Sequence, residues 1–132
     1  MTLVIDASIL VAALVDETPV GRWAESLFAE RLFAPHHLPA EATNSLNRAA
    51  RVGDIPPEVA SLAYVDMLAV GMRTTLVPYA PYAERIWELR ANVTSYDAWY
   101  VALAESLDAP LATLDYRLAR APGPRCAFVT PP

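Results

Sequence analysis

Four acidic residues of this chain lie in positions where ordinary surface carboxylates are not expected. Asp6 closes the apolar run LVI, and Asp115 follows the apolar run LATL. Glu41 and Asp97 each lie in the first turn of a segment with a helical pattern. An ionised carboxylate at the rim of a core is costly unless a partner compensates its charge. Each acid therefore either caps a helix or takes part in holding a cation.

Taken singly, these acids have ordinary structural explanations. Asp6 and Asp115 suit caps or turns, because Asp is favoured at both kinds of position. Asp97 suits the first turn of a helix capped by Ser95, and Glu41 suits a solvated helical surface. The sequence around Asp6 and Asp97 is nevertheless too apolar for scattered surface charges. The acids are therefore better explained as one group.

A shared divalent cation is the usual compensation for carboxylates that are drawn together and repel one another. Oxygen ligands of this kind suit Mg²⁺ or Mn²⁺. Zn²⁺ is disfavoured, because the chain has a single cysteine and no histidines at the spacing of a zinc site. The sequence thus predicts a magnesium or manganese site, provided that the fold brings the acids together.

Short apolar strands alternate with helical segments, which predicts an α/β fold. Because the strands are apolar throughout, we expect burial on both faces, as in a short, mostly parallel sheet flanked by helices. The predicted strands are 2–6, 32–34, 74–77, 111–114 and 126–129. The predicted helices are 8–15, 20–31, 39–52, 57–70, 80–91 and 96–107, with a short turn near 116–120. Ligands bind beyond the carboxyl ends of such strands, so Asp6 and Asp115 are expected at one edge. Glu41 and Asp97 begin helices that would point toward the same edge.

An unusually helical stretch separates the second and third predicted strands. Its two helices, Leu38 to Val52 and Pro57 to Val70, form a predicted helical hairpin joined by GDIPP. The stretch ASLAYVDMLAVGM in the second helix carries more apolar surface than a small core hides, which indicates a protein partner. No repeat or change of composition divides the chain, so we predict a single domain over residues 1–132.

The composition narrows the class of protein. A chain with 55% hydrophobic and 19% charged residues is typical of a compact globule. The apolar run Ile9–Val15 has seven residues, against the ~20 that cross a bilayer. Without the basic start of a signal peptide, and with Cys126 alone, we expect a cytoplasmic protein that makes no membrane contact. The net charge of −5 argues against a generic polyanion binder, but without the four acids only eleven acidic residues would face ten arginines.

The acids and their neighbours, taken together, resemble a known family. The stretches LVIDASILVAALV, EATNSLNR and SYDAWYVALAESLDAPLATLDYRL are similar to the PIN-domain ribonucleases, and specifically to the VapC toxins of bacterial toxin–antitoxin pairs. The likeness extends over nearly the whole chain. Its specific part is the ordered set of acids, with Ser8 two residues after the first and Thr113 two residues before the last.

This resemblance implies a three-layer, PIN-like fold and a metal-dependent endoribonuclease. One or two Mg²⁺ or Mn²⁺ ions would activate water to cleave an RNA phosphodiester, leaving a 5′-phosphate and a 3′-hydroxyl. The implied catalytic and metal-binding residues, acting directly or through water, are Asp6, Glu41, Asp97 and Asp115. The resemblance also implies that Ser8, Asn44 and Thr113 orient ligands or water.

The same resemblance implies protein partners. VapC-like toxins are neutralised by a VapB-like antitoxin, whose C-terminal segment lies along a helical groove and often places a basic side chain in the acidic site. They also form homodimers or toxin–antitoxin hetero-oligomers. The apolar second helix of the insert agrees with such a partner.

Arginines and aromatic residues near the acids are candidates for RNA contacts. Arg48, Arg117 and Arg120 lie near acids in the sequence and suit phosphate contacts, with a surface ion pair as the alternative. Tyr96 is the best candidate to stack on a base, although aromatic residues at helical spacing usually pack in the core. The adjacent histidines of PHHL have no partner cluster in the sequence and are assigned to a loop.

Two other functions fit parts of the sequence. A non-catalytic PIN-like module that binds RNA or protein would keep the fold without needing the intact set of acids. An aspartyl phosphatase-like enzyme would use Asp6 as a covalent nucleophile. The second alternative is disfavoured, because Ser8 stands where a second Asp is expected and the chain has no Lys to hold a phosphoryl group.

Overall fold

The computed structural model describes residues 1–71 and 73–132, in which strands and helices alternate. The elements in chain order are β1 (Thr2–Ile5), α1 (Ala7–Val15), α2 (Pro19–Ser26), β2 (Arg31–Pro35), α3 (Leu38–Arg51), α4 (Pro57–Gly71), β3 (Thr75–Val77), α5 (Ala83–Glu88), α6 (Ser95–Leu107), β4 (Leu111–Ala112), α7 (Tyr116–Ala119) and β5 (Phe128–Val129). Short 3₁₀ turns at Leu27–Ala29 and Ala80–Tyr82 precede β2 and α5. The predicted α/β fold is confirmed.

The five strands form one sheet in the order β3-β2-β1-β4-β5, with β1 at its centre. Leu3 pairs with Leu32 of β2, and Val4 pairs with Leu111 of β4. Leu3, Val4 and Ile5 are at most 1% exposed, as expected for a strand covered on both faces. Every described strand pair is parallel, so the sheet is fully rather than mostly parallel. The carboxyl ends of the strands consequently lie at one edge.

α6 is the central helix of the core. It contacts β1, β2 and β4, and its Tyr100, Val101 and Leu103 are at most 1% exposed. This burial agrees with a sequence that is apolar on nearly all sides of the helix. α1 packs instead with α2, α3 and α4, so helices flank the sheet as predicted.

Some local predictions differ from the structure. α6 is capped by Thr94 rather than by Ser95, because Thr94 has an extended backbone (ψ 159°) and its hydroxyl accepts a hydrogen bond from the Asp97 N–H. The predicted helices 20–31 and 80–91 are shorter than expected, because each contains a 3₁₀ turn. These differences leave the positions of the four acids at strand and helix ends unchanged.

The helical hairpin between β2 and β3 is confirmed as α3 and α4. The turn between them contains Gly53, whose φ of +82° suits a residue without a Cβ. On α4 the side chains of Leu62, Val65 and Leu68 are 68%, 62% and 51% exposed. Met72, the last residue of ASLAYVDMLAVGM, lies outside the described residues. In the part of the chain that the structure describes, no helix combines the length and apolarity needed to span a bilayer.

Candidate active site

Asp6 lies between β1 and α1 and is 7% exposed. Its Oδ1 caps α1 by accepting hydrogen bonds from the Ser8 N–H (3.0 Å), the Ile9 N–H (3.3 Å) and the Ser8 hydroxyl (2.5 Å). Its Oδ2 accepts a hydrogen bond from the Thr113 hydroxyl at 2.5 Å. Burial raises the pKa of Asp6 to about 6 despite these hydrogen bonds, and the negative charge of Asp97 adds to the rise.

The hydroxyls of Ser8 and Thr113 link the ends of β1 and β4. Besides binding Asp6, the Ser8 Oγ accepts a hydrogen bond from the Leu114 N–H at 3.0 Å. The Thr113 Oγ1 likewise accepts one from the Asp115 N–H at 2.9 Å. Two short side chains thus fix the Asp6 carboxylate relative to the backbone that carries Asp115. They are the residues that sequence reasoning placed around the first and last acids.

Replacing Thr113 by Val is expected to lower the free energy of unfolding by about 1–3 kcal/mol. Thr113 is fully buried, and Val has nearly the same shape but leaves Asp6 Oδ2 and the Asp115 N–H without their partner. Urea denaturation followed by circular dichroism measures the change. Thr113→Ser, which keeps the hydroxyl, is the matched control, and equal losses for both variants would contradict this role of the hydroxyl.

Asp115 and Asp97 stand beside Asp6 at the same edge of the sheet. Asp115 caps α7, because its Oδ1 accepts hydrogen bonds from the Arg117 and Leu118 N–H groups at 2.9 and 3.1 Å. Asp97 is half-buried in the first turn of α6. Burial raises the pKa of Asp97, and repulsion from Asp115 and Glu41 raises it further. Asp97 is therefore close enough to Asp115 and Glu41 for their charges to raise its pKa.

The carboxylate of Glu41 contacts the side chains of Tyr100 and His37. The Tyr100 hydroxyl donates a hydrogen bond to its Oε1 at 2.8 Å, and His37 Nε2 lies 2.8 Å from the same oxygen. The His37–Glu41 contact is short but does not have the geometry of an aligned hydrogen bond. Burial opposes ionisation of Glu41, but His37 and Tyr100 outweigh it, so the pKa of Glu41 is lowered.

His37 and Tyr100 were not identified as site residues from the sequence. The PHHL histidines lie in the turn between β2 and α3, as predicted, but the contact of His37 with Glu41 was not foreseen. The spacing of four residues between His37 and Glu41 at a helix start is a signal that could have indicated the contact. Tyr100 is 59 residues from Glu41, and no local pattern indicates that pair.

No arginine neutralises the acids in the part of the chain that the structure describes: the salt bridges there join none of the four to Arg. Across residues 1–71 and 73–132, no three His, Cys, Asp or Glu side chains are already grouped closely enough to hold a metal ion. The acids thus lie at one edge of the sheet, but too far apart to surround a metal ion completely. A strongly hydrated cation fits such an arrangement, because Mg²⁺ keeps several waters and uses only one or two carboxylates.

The remaining predicted residues differ in how close they lie to the acids. Arg117 and Arg120 line an open cavity of about 560 Å³ together with Asp97 and Asp115. Tyr96 is 66% exposed in the first turn of α6. Asn44 and Arg48 are exposed on α3, one and two turns after Glu41, and their side chains make no hydrogen bond to an acid among the described residues.

Comparison with known proteins agrees with this fold. The family model described as "PIN domain" matches residues 3–124. A solved structure of PAE2754 from Pyrobaculum aerophilum superimposes with a TM-score of 0.71 at 26% identity, covering 97% of this chain and 83% of that one. The chain therefore belongs to the PIN-domain family.

Two relatives within that family bear ribonuclease names. A VapC ribonuclease of Mycobacterium bovis is 38% identical over 98% of this chain and 98% of its own length. Ribonuclease VapC1 of Mycobacterium tuberculosis is 42% identical over 93% of this chain and 92% of its own length. Both alignments cover more than nine-tenths of each chain, so the similarity extends over the whole VapC ribonucleases. The resemblance inferred from the acids is confirmed.

Proposed function

We propose that this chain is a metal-dependent endoribonuclease and the toxin of a VapBC-type pair. The observation that carries the proposal is the set of four carboxylates at the carboxyl edge of the sheet, in a protein whose relatives are VapC ribonucleases. These carboxylates repel one another, and the described residues provide no arginine to compensate them. A bound dication provides that compensation.

Asp6, Asp97 and Asp115 are the proposed metal ligands, with Glu41 acting directly or through water. All donors are oxygens, which favours Mg²⁺ or Mn²⁺, as one or two ions per site. When bound, such an ion lowers the pKa of water and offsets charge on the phosphate. The donor chemistry and the open arrangement of the acids support this assignment.

Other side chains of the protein orient the Asp6 carboxylate, keep Glu41 ionised and provide positive charge for phosphates. Ser8 and Thr113 hold the Asp6 carboxylate in one position, so it need not reorganise when substrate binds. The Tyr100 hydroxyl and His37 keep Glu41 ionised. Asn44 is proposed to orient water beside Glu41. Arg48 and Arg117 are proposed phosphate contacts, since guanidinium groups bind phosphates with two parallel hydrogen bonds.

A VapB-like antitoxin is the proposed protein partner. The proposed assembly is a homodimer of this chain or a hetero-oligomer of this chain with the antitoxin. The exposed apolar residues of α4 support it, because surface of this kind is normally covered. An apolar cavity of about 210 Å³ between α1, α3 and α4, lined in part by Leu10, Leu38 and Met67, offers a site for an apolar anchor. A toxin of this kind acts on RNA in the cytoplasm, which is its proposed location.

The aspartyl phosphatase alternative loses support from the environment of Ser8. That alternative expects a second Asp at this position, but the Ser8 hydroxyl donates a hydrogen bond to Asp6 and accepts one from the Leu114 N–H. Ser8 therefore positions the Asp6 carboxylate and provides no second acid.

The proposed activity is tested by incubating the purified protein with RNA. We expect cleavage with Mg²⁺ or Mn²⁺, products that carry 5′-phosphates, and no cleavage in excess chelator. A control without protein excludes metal-catalysed hydrolysis. Cleavage that persists undiminished in chelator would contradict the metal-dependent mechanism, and a folded protein that cuts no RNA with either ion would favour a non-catalytic module.

A further inference from the structure

A cluster of aromatic rings lies beside Glu41. This aromatic cluster consists of His37, Tyr79, Tyr96, Trp99 and Tyr100. His37 stacks on Trp99 with ring centroids 4.8 Å apart and an interplanar angle of 14°, and Tyr79 meets the edge of Trp99 at 5.3 Å. Tyr96 and Tyr100 lie tilted against His37 at 5.8 and 5.0 Å. The rings support one another and are fixed on the buried Tyr100.

The outer members of the aromatic cluster are exposed although the inner ones are buried. Tyr96 is 66% and Tyr79 is 47% exposed, whereas Tyr100 is 1% exposed. Exposed rings that are held by buried neighbours lose little conformational entropy when a flat ligand stacks on them. Base stacking on such rings is the usual way in which proteins bind unpaired nucleotides.

The sheet order places the aromatic cluster and the arginines on opposite sides of the acids. His37 follows β2 and Tyr79 follows β3, whereas Arg117 and Arg120 follow β4. Because β1 lies between β2 and β4, Asp6 stands between these two groups. A strand of RNA that crosses the acids therefore meets cationic side chains on one side and aromatic rings on the other.

We infer that the aromatic cluster is a nucleobase subsite in which an unpaired base next to the scissile phosphate stacks on Tyr96 and Tyr79. Arg117 and Arg120 bind backbone phosphates on the opposite side of the acids. The inference rests on the proposed ribonuclease function and adds to it the side chains of this chain that hold one unpaired base beside the acids. A base inside a duplex is stacked on its neighbours and cannot present its face to these rings.

Binding measurements test this subsite separately from catalysis. Fluorescence anisotropy is measured in an Asp97→Asn background with Mg²⁺, using a short labelled single-stranded RNA, the same strand without bases, and a blunt duplex. We expect Tyr96→Ala to weaken binding of the intact single strand by about tenfold and Tyr79→Ala to act in the same direction. Both variants should leave binding of the abasic strand and the duplex almost unchanged. Tyr96→Phe, which keeps the ring, should bind like the parent.

Tyr64→Ala is the matched control, because Tyr64 is an exposed tyrosine on α4 that is not part of the aromatic cluster. Equal binding by Tyr96→Ala and the parent would overturn the subsite, as would an equal loss on the intact and abasic strands. If either result accompanies metal-dependent cleavage by the unsubstituted protein, the ribonuclease function stands without the subsite. A protein that neither binds nor cuts RNA overturns both.

Discussion

Replacing Asp97 by Asn is expected to lower RNA cleavage by at least about 100-fold while the chain remains folded. Loss of a metal ligand removes several kcal/mol of charge stabilisation in the transition state, and every 1.36 kcal/mol is a factor of about ten in rate. Asn has the size of Asp and can still hydrogen-bond the Thr94 hydroxyl, whose bond from the Asp97 N–H caps α6, so the start of the helix should be retained. Gel assays of cleavage rate and circular dichroism measure the two quantities.

The same substitution is expected to raise thermal stability slightly in the absence of metal. Burial and repulsion from Asp115 and Glu41 oppose ionisation of Asp97, and the neutral amide relieves both. Asp66→Asn on α4 is the matched control, since Asp66 is exposed and lies on an element that carries none of the acids. Unchanged cleavage by Asp97→Asn, or an equal loss in Asp66→Asn, would contradict the assigned role.

The metal-free protein is expected to be more stable at pH 4 to 5 than at pH 7, because of Asp6. Burial raises the pKa of Asp6 from 3.8 to about 6, so between these values the folded protein holds a proton that the unfolded chain has released. The stabilising effect of that proton is fully present below the unfolded pKa and is lost as the pH rises through about 6. The shift corresponds to on the order of 3 kcal/mol.

Asp97 contributes in the same direction, since its pKa is also raised. The lowered pKa values of Glu41, Asp16 and Glu105 contribute in the opposite direction. Thermal melts in chelator from pH 4 to 7 measure the sum, with a change on the order of 5 °C in Tm. Adding Mg²⁺ or Mn²⁺ at pH 7 should restore the lost stability, because the cation compensates the ionised acids. Stability that rises steadily from pH 4 to 7 would contradict this account.

Asp6→Asn isolates the contribution of Asp6. Asn is a good helix cap and stays neutral, so the variant should lose most of the parent's change in stability between pH 4 and 7 and should gain less stability from added ions than the parent does. Asp16→Asn is a control of opposite sign. The Asp16 carboxylate accepts hydrogen bonds from the Thr18 hydroxyl and N–H, which lower its pKa, so its charge stabilises the fold at neutral pH.

Much of the fold could be predicted from local sequence patterns. The apolar run through Leu3, Val4 and Ile5 predicted a strand buried on both faces, and the parallel sheet contains it at its centre. Proline and glycine positions predicted the hairpin of α3 and α4. The cap of α6 was assigned one residue too late, because Thr94 and Ser95 are equally suited by type and only the backbone conformation decides between them.

Local sequence patterns were sufficient to place carboxylates at the end of β1 and at the starts of α3 and α6, because strand and helix ends depend on neighbours along the chain. The surroundings of each carboxylate depend instead on segments that are distant in the sequence. The hydrogen bond from Thr113 to Asp6 joins residues 107 positions apart in the sequence, and the one from Tyr100 to Glu41 joins residues 59 positions apart. The order of strands also decided that aromatic rings and arginines lie on opposite sides of Asp6. Contacts between distant segments depend on how helices and strands pack, and no periodicity within one segment encodes that packing.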